Sequence, residues 1–493
     1  MIATVEMLEI WVFHQPICEK RAKRLIATVE MLEIWVFHQP ICEKRAKRLI
    51  ATVEMLEIWV FHQPICEKRA KRLIATVEML EIWVFHQLFE KRVYQWRFRG
   101  KGCAHTLVYQ GLKIPRGYQI ARRRKMNKNY EHIVKTITSP SKTIFLQAQT
   151  YLDNLAKPPG SLGKLEEIAA RLCAISGNLA PSITKRCIIV SSADNGVIAE
   201  GVASAPEEVT AIQTLNMLDG VAGISVLAKQ FNADLFIADV GINGDVTHPQ
   251  LINKKIRKST GNIAKEMAFS RKEAELALET GIALVCDAKE SGYQMIGVGE
   301  MGIGNTTTSS AVLAALLGLE GEDIGKVVGK GAGLEEAAYL KKVKVVQTAL
   351  QLHQPGKYDP IDILHKVGGL DLATMTGVYL GAAYYRLPVV IDGFISVVAA
   401  LCAAKLNPRV VDYMFASHHS FERGYGFAVE ELGLKPGLHL EMRLGEGSGC
   451  PLMFSIMDAS LAILKNMATF AAGNISTDYV ENIDNIKEAA VLE

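Results

Sequence analysis

From about residue 144 to its end, the sequence predicts an α/β fold, a parallel sheet with helices on both faces. Two observations carry that expectation. Short apolar runs of strand length alternate with Ala- and Leu-rich stretches of helical length, the pattern of strands buried on both sides by crossover helices. Each apolar run also ends in a polar residue that could act on a ligand, and open α/β sheets bind ligands at the carboxyl ends of their strands.

The elements follow in order. After the turn-rich KPPGSLG, a helical period appears at Leu165, Ile168, Leu172 and Ile175. The expected strands are CIIVSSAD (187–194), LFIADVG (235–241), YQMIGVGE (293–300), PVVIDG (388–393) and VVDYMFASH (410–418). They end in Asp194, Asp239, Glu300, Asp392 and His418. Helical stretches between them include 209–230, 306–318 and 371–385.

The first 143 residues are of another kind. IATVEMLEIWVFHQPICEKRAKRL begins at Ile2 and restarts at Ile26, Ile50 and Ile74, and the last copy breaks off after Gln87. Functional repeats diverge, because end units must cap and inner units must pack. These copies are identical where they overlap, so residues 1–87 read as a recent duplication or a faulty gene model, with a repeat scaffold as the alternative. Residues 91–128 hold twelve Lys or Arg and no Asp or Glu. With 88–143 lacking periodicity, this reads as a disordered basic linker. The other reading, a nucleic-acid arm, draws on Tyr94, Trp96, Phe98 and Tyr118. The body beyond is net acidic, which argues against nucleic acid as its partner.

The 493 residues are 49% hydrophobic and 22% charged, ordinary for a large globular core. Cys18, Cys42 and Cys66 are one cysteine copied three times, and the other six lie scattered without a CxxC pair. That speaks against a disulfide framework or zinc site and for a reducing, cytoplasmic compartment. No run of about 18 uncharged apolar residues spans a membrane, and the start lacks the positive charge of a secretory signal.

Three segments carry candidate chemistry. GVGEMGIGNTTTSSAVLAALLG (297–318) reads as strand, glycine-rich turn and helix start, the arrangement that offers free N–H groups to a phosphate. Gly297, Gly299 and Gly302 also spell a dinucleotide fingerprint. Glu300 inside that turn would repel a pyrophosphate, however, and the helix starts only after Gly304. No GK[ST] follows for Walker chemistry. VGKGAGLEE (328–336), with Lys330 inside it and Lys342 beyond, suits a monophosphate or else a plain interhelical turn. In MRLGEGSGC, Glu446 stands between glycines. A carboxyl in a mostly apolar pocket has a raised pKa and works as a general base near neutrality. SHHSFERG (417–424) offers polar lining; adjacent His418 and His419 are poorly placed to share a metal. The GxSxG elbow of a serine hydrolase is absent.

Taken together, KPPGSLGKLE (157–166), ADNGVIAEGVASAPEEVTAIQ (193–213), GVGEMGIGNTT (297–307), KVGGLDLATMTGVYLGAA (366–383), VVIDGFIS (389–396), SHHS (417–420) and MRLGEGSG (442–449) resemble the nicotinate-nucleotide–dimethylbenzimidazole phosphoribosyltransferases of cobalamin nucleotide-loop assembly, in family order. The resemblance implies a Rossmann-like parallel sheet with helices on both faces, plus a smaller helical domain built from N- and C-terminal parts of a core over 144–493. It implies transfer of phosphoribose from nicotinate mononucleotide to 5,6-dimethylbenzimidazole, in a homodimer with no metal or other cofactor. On the matching positions, Glu446 would be the general base and Glu300 a second acid that stabilises positive charge on the ribose. Gly302, Gly304, Asn305, Thr306 and Thr307, with Gly331 and Lys342, would hold the 5′-phosphate. Gln213 would line the base pocket, and Asp392, Ser417 and Gly445 complete the substrate-binding set. Asn195 stands where the family usually has His, and Ala205 where some members have Ser; both bear on which base is accepted. The alternative function is a protein of the same fold that sequesters a nucleotide or base.

Overall fold

The structure, a computed structural model, describes residues 129–331 and 333–476, together with two short strands, Trp96–Arg97 and Thr106–Leu107, that pair antiparallel. The tandem repeat, and the basic run apart from Trp96–Arg97 and Thr106–Leu107, lie outside the described residues, and so do the readings made of them. The chain divides into two units, Met1–Gln119 and Ile120–Glu493, and the second holds the large sheet.

Six strands form that sheet: β1 (Arg186–Ala193), β2 (Ala233–Gly241), β3 (Ile252–Asn253), β4 (Met295–Met301), β5 (Val389–Ile391) and β6 (Met414–Ala416). All pairings are parallel, and the order across the sheet is β3-β2-β1-β4-β5-β6. This is the doubly wound order, with its switch point between β1 and β4, where a crevice opens at the strand ends. β1 and β4 are buried at every position, as expected of strands covered on both faces.

The expected elements lie close to their observed places, with two informative differences. The stretch 209–230 is not one helix but α4 (Glu208–Leu218) and α5 (Gly223–Gln230). Gly220 between them has φ +83°, a left-handed conformation that ends α4. The whole stretch is apolar and long enough to span a bilayer, but the break leaves two helices far short of the ~20 residues a span needs. The run 410–418 forms strand only over β6. Before it Asn407 caps a 3₁₀ turn, Pro408–Tyr413, whose proline cannot join a ladder. The two-residue edge strand β3 was too short to announce itself.

The remaining helices that matter here are α2 (Lys142–Asp153), α3 (Lys164–Ser176), α6 (Arg271–Glu290), α7 (Asn305–Leu317), α8 (Glu336–His353), α10 (Leu370–Tyr384), α11 (Phe394–Leu406), α12 (Arg423–Glu431) and α13 (Gly449–Asn466), with α1 (Tyr130–Thr136) and α9 (Pro360–Val367) completing the chain order. α2, α3 and α13 share a core of their own, with Ala148, Leu152, Leu155, Ala169, Ala170, Cys173 and Leu464 buried together. That is the smaller helical domain, built from both ends of the unit. KPPGSLGKLE ties it together: Lys157 and Glu166 pair at 2.9 Å, both buried, and Glu166 also accepts from the Leu162 N–H at 2.9 Å.

Candidate active site

At the switch point the strand ends surround a cavity of about 360 Å³. β4 delivers Glu300, and the loop before α13 delivers Glu446 from the far end of the sequence; both line the hollow. The Glu446 N–H donates to Glu300 Oε1 at 3.3 Å. So close an approach requires glycines. A Cβ on Gly299 would stand 2.4 Å from the Glu446 carbonyl oxygen, and one on Gly445, at φ +85°, would stand 2.4 Å from Glu300 Oε1.

This explains the fingerprint-like string. Gly297 and Gly299 let β4 approach Cys450 and the Glu446 loop, and Gly302 just after it approaches the Ala193 carbonyl, so their small size serves packing within the protein.

Glu446 sits among donors and not in the apolar surroundings expected of it. Gln213 Nε2 donates to its Oε1 at 2.6 Å, and the Ile224 N–H to its Oε2 at 3.0 Å. The second donor exists because α4 and α5 are separate helices: Ile224 lies in the first turn of α5, where N–H groups lack intrahelical partners.

The strongly raised carboxyl is Glu300. Burial pushes it up to about 8, with neighbouring Asp371 adding to the rise, while the Asn305 amide opposes it. Asn305 Nδ2 bridges Glu300 Oε2 and Asp371 Oδ2, the latter at 3.0 Å. At neutral pH this burial favours the protonated form of Glu300. Burial also raises Asp392 to about 7, and Asp371 and Asp194 to about 6. Buried carboxyls set close to one another favour protonation.

Gly302, Gly304, Asn305 and Thr306 line the cavity, with Gly331 and Lys330 across from them. Thr307 and Lys342 stand behind this lining. Lys342 is fully buried and donates to Thr306 Oγ1 at 2.8 Å; burial pulls its ammonium down to about 8, partly offset by Glu422. The Asn305 and Thr307 N–H groups turn back to the Gly302 and Gly304 carbonyls, so the hollow is served by Thr306, the glycines and the lysines more than by a fan of free amides.

Gln213, Asp392, Gly445 and His418 also line the cavity; Ser417 does not, and its hydroxyl meets His418 Nδ1 at 3.0 Å. Of the five strand-end residues, Glu300, Asp392 and His418 face the hollow. Asp194 and Asp239 instead accept from the N–H groups of Asn243 and Ile242, and Asp239 pairs with Lys255 at 3.1 Å. Ala205 lines the cavity, whereas Asn195 is buried beside it and accepts from Thr308 Oγ1 at 3.2 Å. Asp371 was missed. In the sequence it is one acidic residue at a helix start, and nothing local ties it to Glu300. Arg443, within MRLGEGSG, also lines the cavity.

A doubly wound sheet with an acid pair beside a lysine-backed turn defines an enzyme that handles a phosphorylated sugar at its switch point. Residues 137–475 match the sequence profile of the family described as Phosphoribosyltransferase, and the chain belongs to that family. Its relatives carry a more particular name, nicotinate-nucleotide–dimethylbenzimidazole phosphoribosyltransferase. One from Clostridium perfringens is 54% identical over 351 residues, 71% of this chain and 96% of the relative. Another, from Ruminiclostridium cellulolyticum, is 48% identical over 346 residues, 70% and 97% of the two chains. The crystal structure of the Thermus thermophilus enzyme of that name matches with a TM-score of 0.64 at 40% identity, covering 68% of this chain and 99% of that one.

Proposed function

We propose that this chain transfers the phosphoribosyl group of nicotinate mononucleotide to 5,6-dimethylbenzimidazole, giving α-ribazole 5′-phosphate and nicotinate for the lower ligand of cobalamin. The observation that carries the reading is the meeting of Glu300 and Glu446 in one hollow beside the turn before α7.

The 5′-phosphate goes to the Gly302–Thr306 turn and Gly331, with Lys342 behind Thr306. A benzimidazole nitrogen attacks C1′ with its lone pair while the bond from C1′ to the pyridinium nitrogen breaks, its electron pair returning to nicotinate. The proton on the other benzimidazole nitrogen passes to the Glu446 carboxylate, which Gln213 and Ile224 hold in place. As positive charge gathers on the ribose, it favours the ionised form of Glu300 and is stabilised by it. The reading assigns no cofactor.

The working form is read as a cytoplasmic homodimer. Ile212, Val221 and Val226, on α4, α5 and the turn between them, are 55%, 68% and 57% exposed, apolar surface that a second copy would cover. The five cysteines among the described residues are free, in keeping with a reducing compartment. Sedimentation of the purified chain tests the dimer.

The decisive experiment supplies purified protein with nicotinate mononucleotide and 5,6-dimethylbenzimidazole and looks for α-ribazole 5′-phosphate by mass. Saturable binding of either compound without product would support the sequestering alternative instead.

A further inference from the structure

Asp392 follows β5 and lines the cavity, yet its carboxylate is spent on the protein itself. It is 2% exposed. The Gly447 N–H donates to its Oδ2 at 3.0 Å and the Gly449 N–H to its Oδ1 at 2.7 Å. Gly449 opens α13, so the carboxylate also sits at the positive end of an 18-residue helix.

Glu446 is the residue this arrangement brackets. Its φ of +63° lies in the left-handed region, which is costly for a side chain with a Cβ and persists only where the surroundings impose it. Its own N–H is held by Glu300, and the next N–H by Asp392. Two carboxyls from adjacent strand ends thus fasten the main chain on either side of one backbone unit, while Gln213 and Ile224 fasten the side chain. His418 Nδ1 lies 4.0 Å from Asp392. Burial holds that imidazole down to about 4, so it is neutral at working pH. Among the described residues, the main-chain N–H groups of Gly393, Gly447 and Gly449 therefore balance Asp392.

We infer that Asp392 is a positioning residue: its carboxylate clamps the Gly445–Gly449 turn in the conformation that aims Glu446 at the incoming base, and it acts through Glu446 and not on the substrate. This rests on the role given to Glu446 in the proposed function. The other ionisable groups around the clamp are Glu300, Glu446, Cys450, Tyr379 and Tyr425; none is a cation that could replace the amides.

The test is a double-mutant cycle of Asp392→Asn with Glu446→Gln, reading kcat and the Kd for nicotinate mononucleotide. Asp392→Asn is expected to lower kcat ~10- to 100-fold, the usual penalty for displacing a reacting group by about 1 Å, with donor Kd unchanged. The double variant is expected to be no slower than Glu446→Gln alone, because a residue acting through another has nothing left to position. Losses that multiply, or a wild-type kcat in Asp392→Asn, overturn the proposal. If the Asn variant does not fold, the wild-type amide protons of Gly447 and Gly449 decide, followed with ¹⁵N-glycine from about pH 5 to 9. A shared titration supports the clamp; two flat curves overturn it. Absence of product in wild type would sink the proposed function, and the same amide titration would still report on the clamp.

Discussion

The main-chain N–H of Glu446 donates to Oε1 of Glu300 across 146 residues of sequence, at 3.3 Å. One carboxyl comes from the end of β4 and the other from the loop before α13, and the contact makes them parts of one site. It also divides their environments. Glu446 receives an amide and a main-chain donor on its two oxygens, whereas Glu300 is buried among other acids.

Glu446→Gln keeps the shape of the site and removes the proton acceptor. Turnover should fall ~10²- to 10⁴-fold, the usual cost of losing a general base. The Kd for nicotinate mononucleotide should stay within about twofold, because the proposed function gives Glu446 no part in holding the donor. Single-turnover kinetics with a binding titration checks both, and near-normal turnover would remove Glu446 from the mechanism.

Donor binding should expel a proton. Glu300, pushed up to about 8, favours its protonated form at pH 7 before the donor binds, and a cationic pyridinium beside it favours the ionised form. Calorimetry at pH 7 in buffers of different ionisation enthalpy should show net proton release on binding nicotinate mononucleotide, and Glu300→Gln should abolish it. Equal heats in all buffers for the wild type would contradict the assignment.

The same burial fixes how the empty fold responds to pH. Glu300, Asp392, Asp371 and Asp194 all have raised folded-state pKa values. The folded form therefore binds more protons than the unfolded chain, and these groups' contribution is fully present below the ordinary carboxyl range. It is lost as pH rises through the folded values, from about 6 to about 8. Glu300→Gln should accordingly raise Tm at alkaline pH by on the order of 2 °C, with the gain shrinking as pH is lowered toward about 5. Thermal scans at several pH values read this directly.

Lys342→Met should weaken the hold on the phosphate through Thr306. Lys342 Nζ stands behind Thr306 at 2.8 Å, and a charge-assisted contact of this kind contributes ~1.5–3 kcal/mol. Binding of nicotinate mononucleotide should weaken ~10- to 100-fold, while binding of the dephosphorylated riboside stays unchanged. In a Glu300→Gln background, which removes the opposing titration of Glu300 near the same pH, affinity for the mononucleotide should fall as pH rises through about 8, where the ammonium loses its charge. An equal loss for both ligands would mean that Lys342 supports the fold and not the phosphate.

Gly445→Ala should uncouple the two acids. The added methyl would meet Glu300 Oε1 at 2.4 Å from a backbone already at φ +85°. With Glu300 buried and held by Asn305, the loop must move instead. Activity should drop with only a modest fall in Tm, and an Ala variant with wild-type kcat would show the contact to be dispensable.

The alternation of apolar runs with helical stretches, the terminal polar residue of each run and the glycine-flanked acids were all legible in the chain, because each depends on neighbours within a few residues. The same local rules place the start of α7 after Gly304. Other features depended on residues far apart in sequence. Only the fold divides 209–230 into two helices so that Ile224 presents its N–H to Glu446. Only the fold buries Glu300 beside Asp371 and turns Asp392 toward two amides. A carboxyl's charge is set by whatever surrounds it in three dimensions, and here the surroundings arrive from five separate stretches of chain. The sequence alone therefore determined the strands, the turns and the acids at their ends, and the tertiary structure decided which of those acids meet in one hollow and which are buried beside one another, because burial and contact depend on distant stretches of chain.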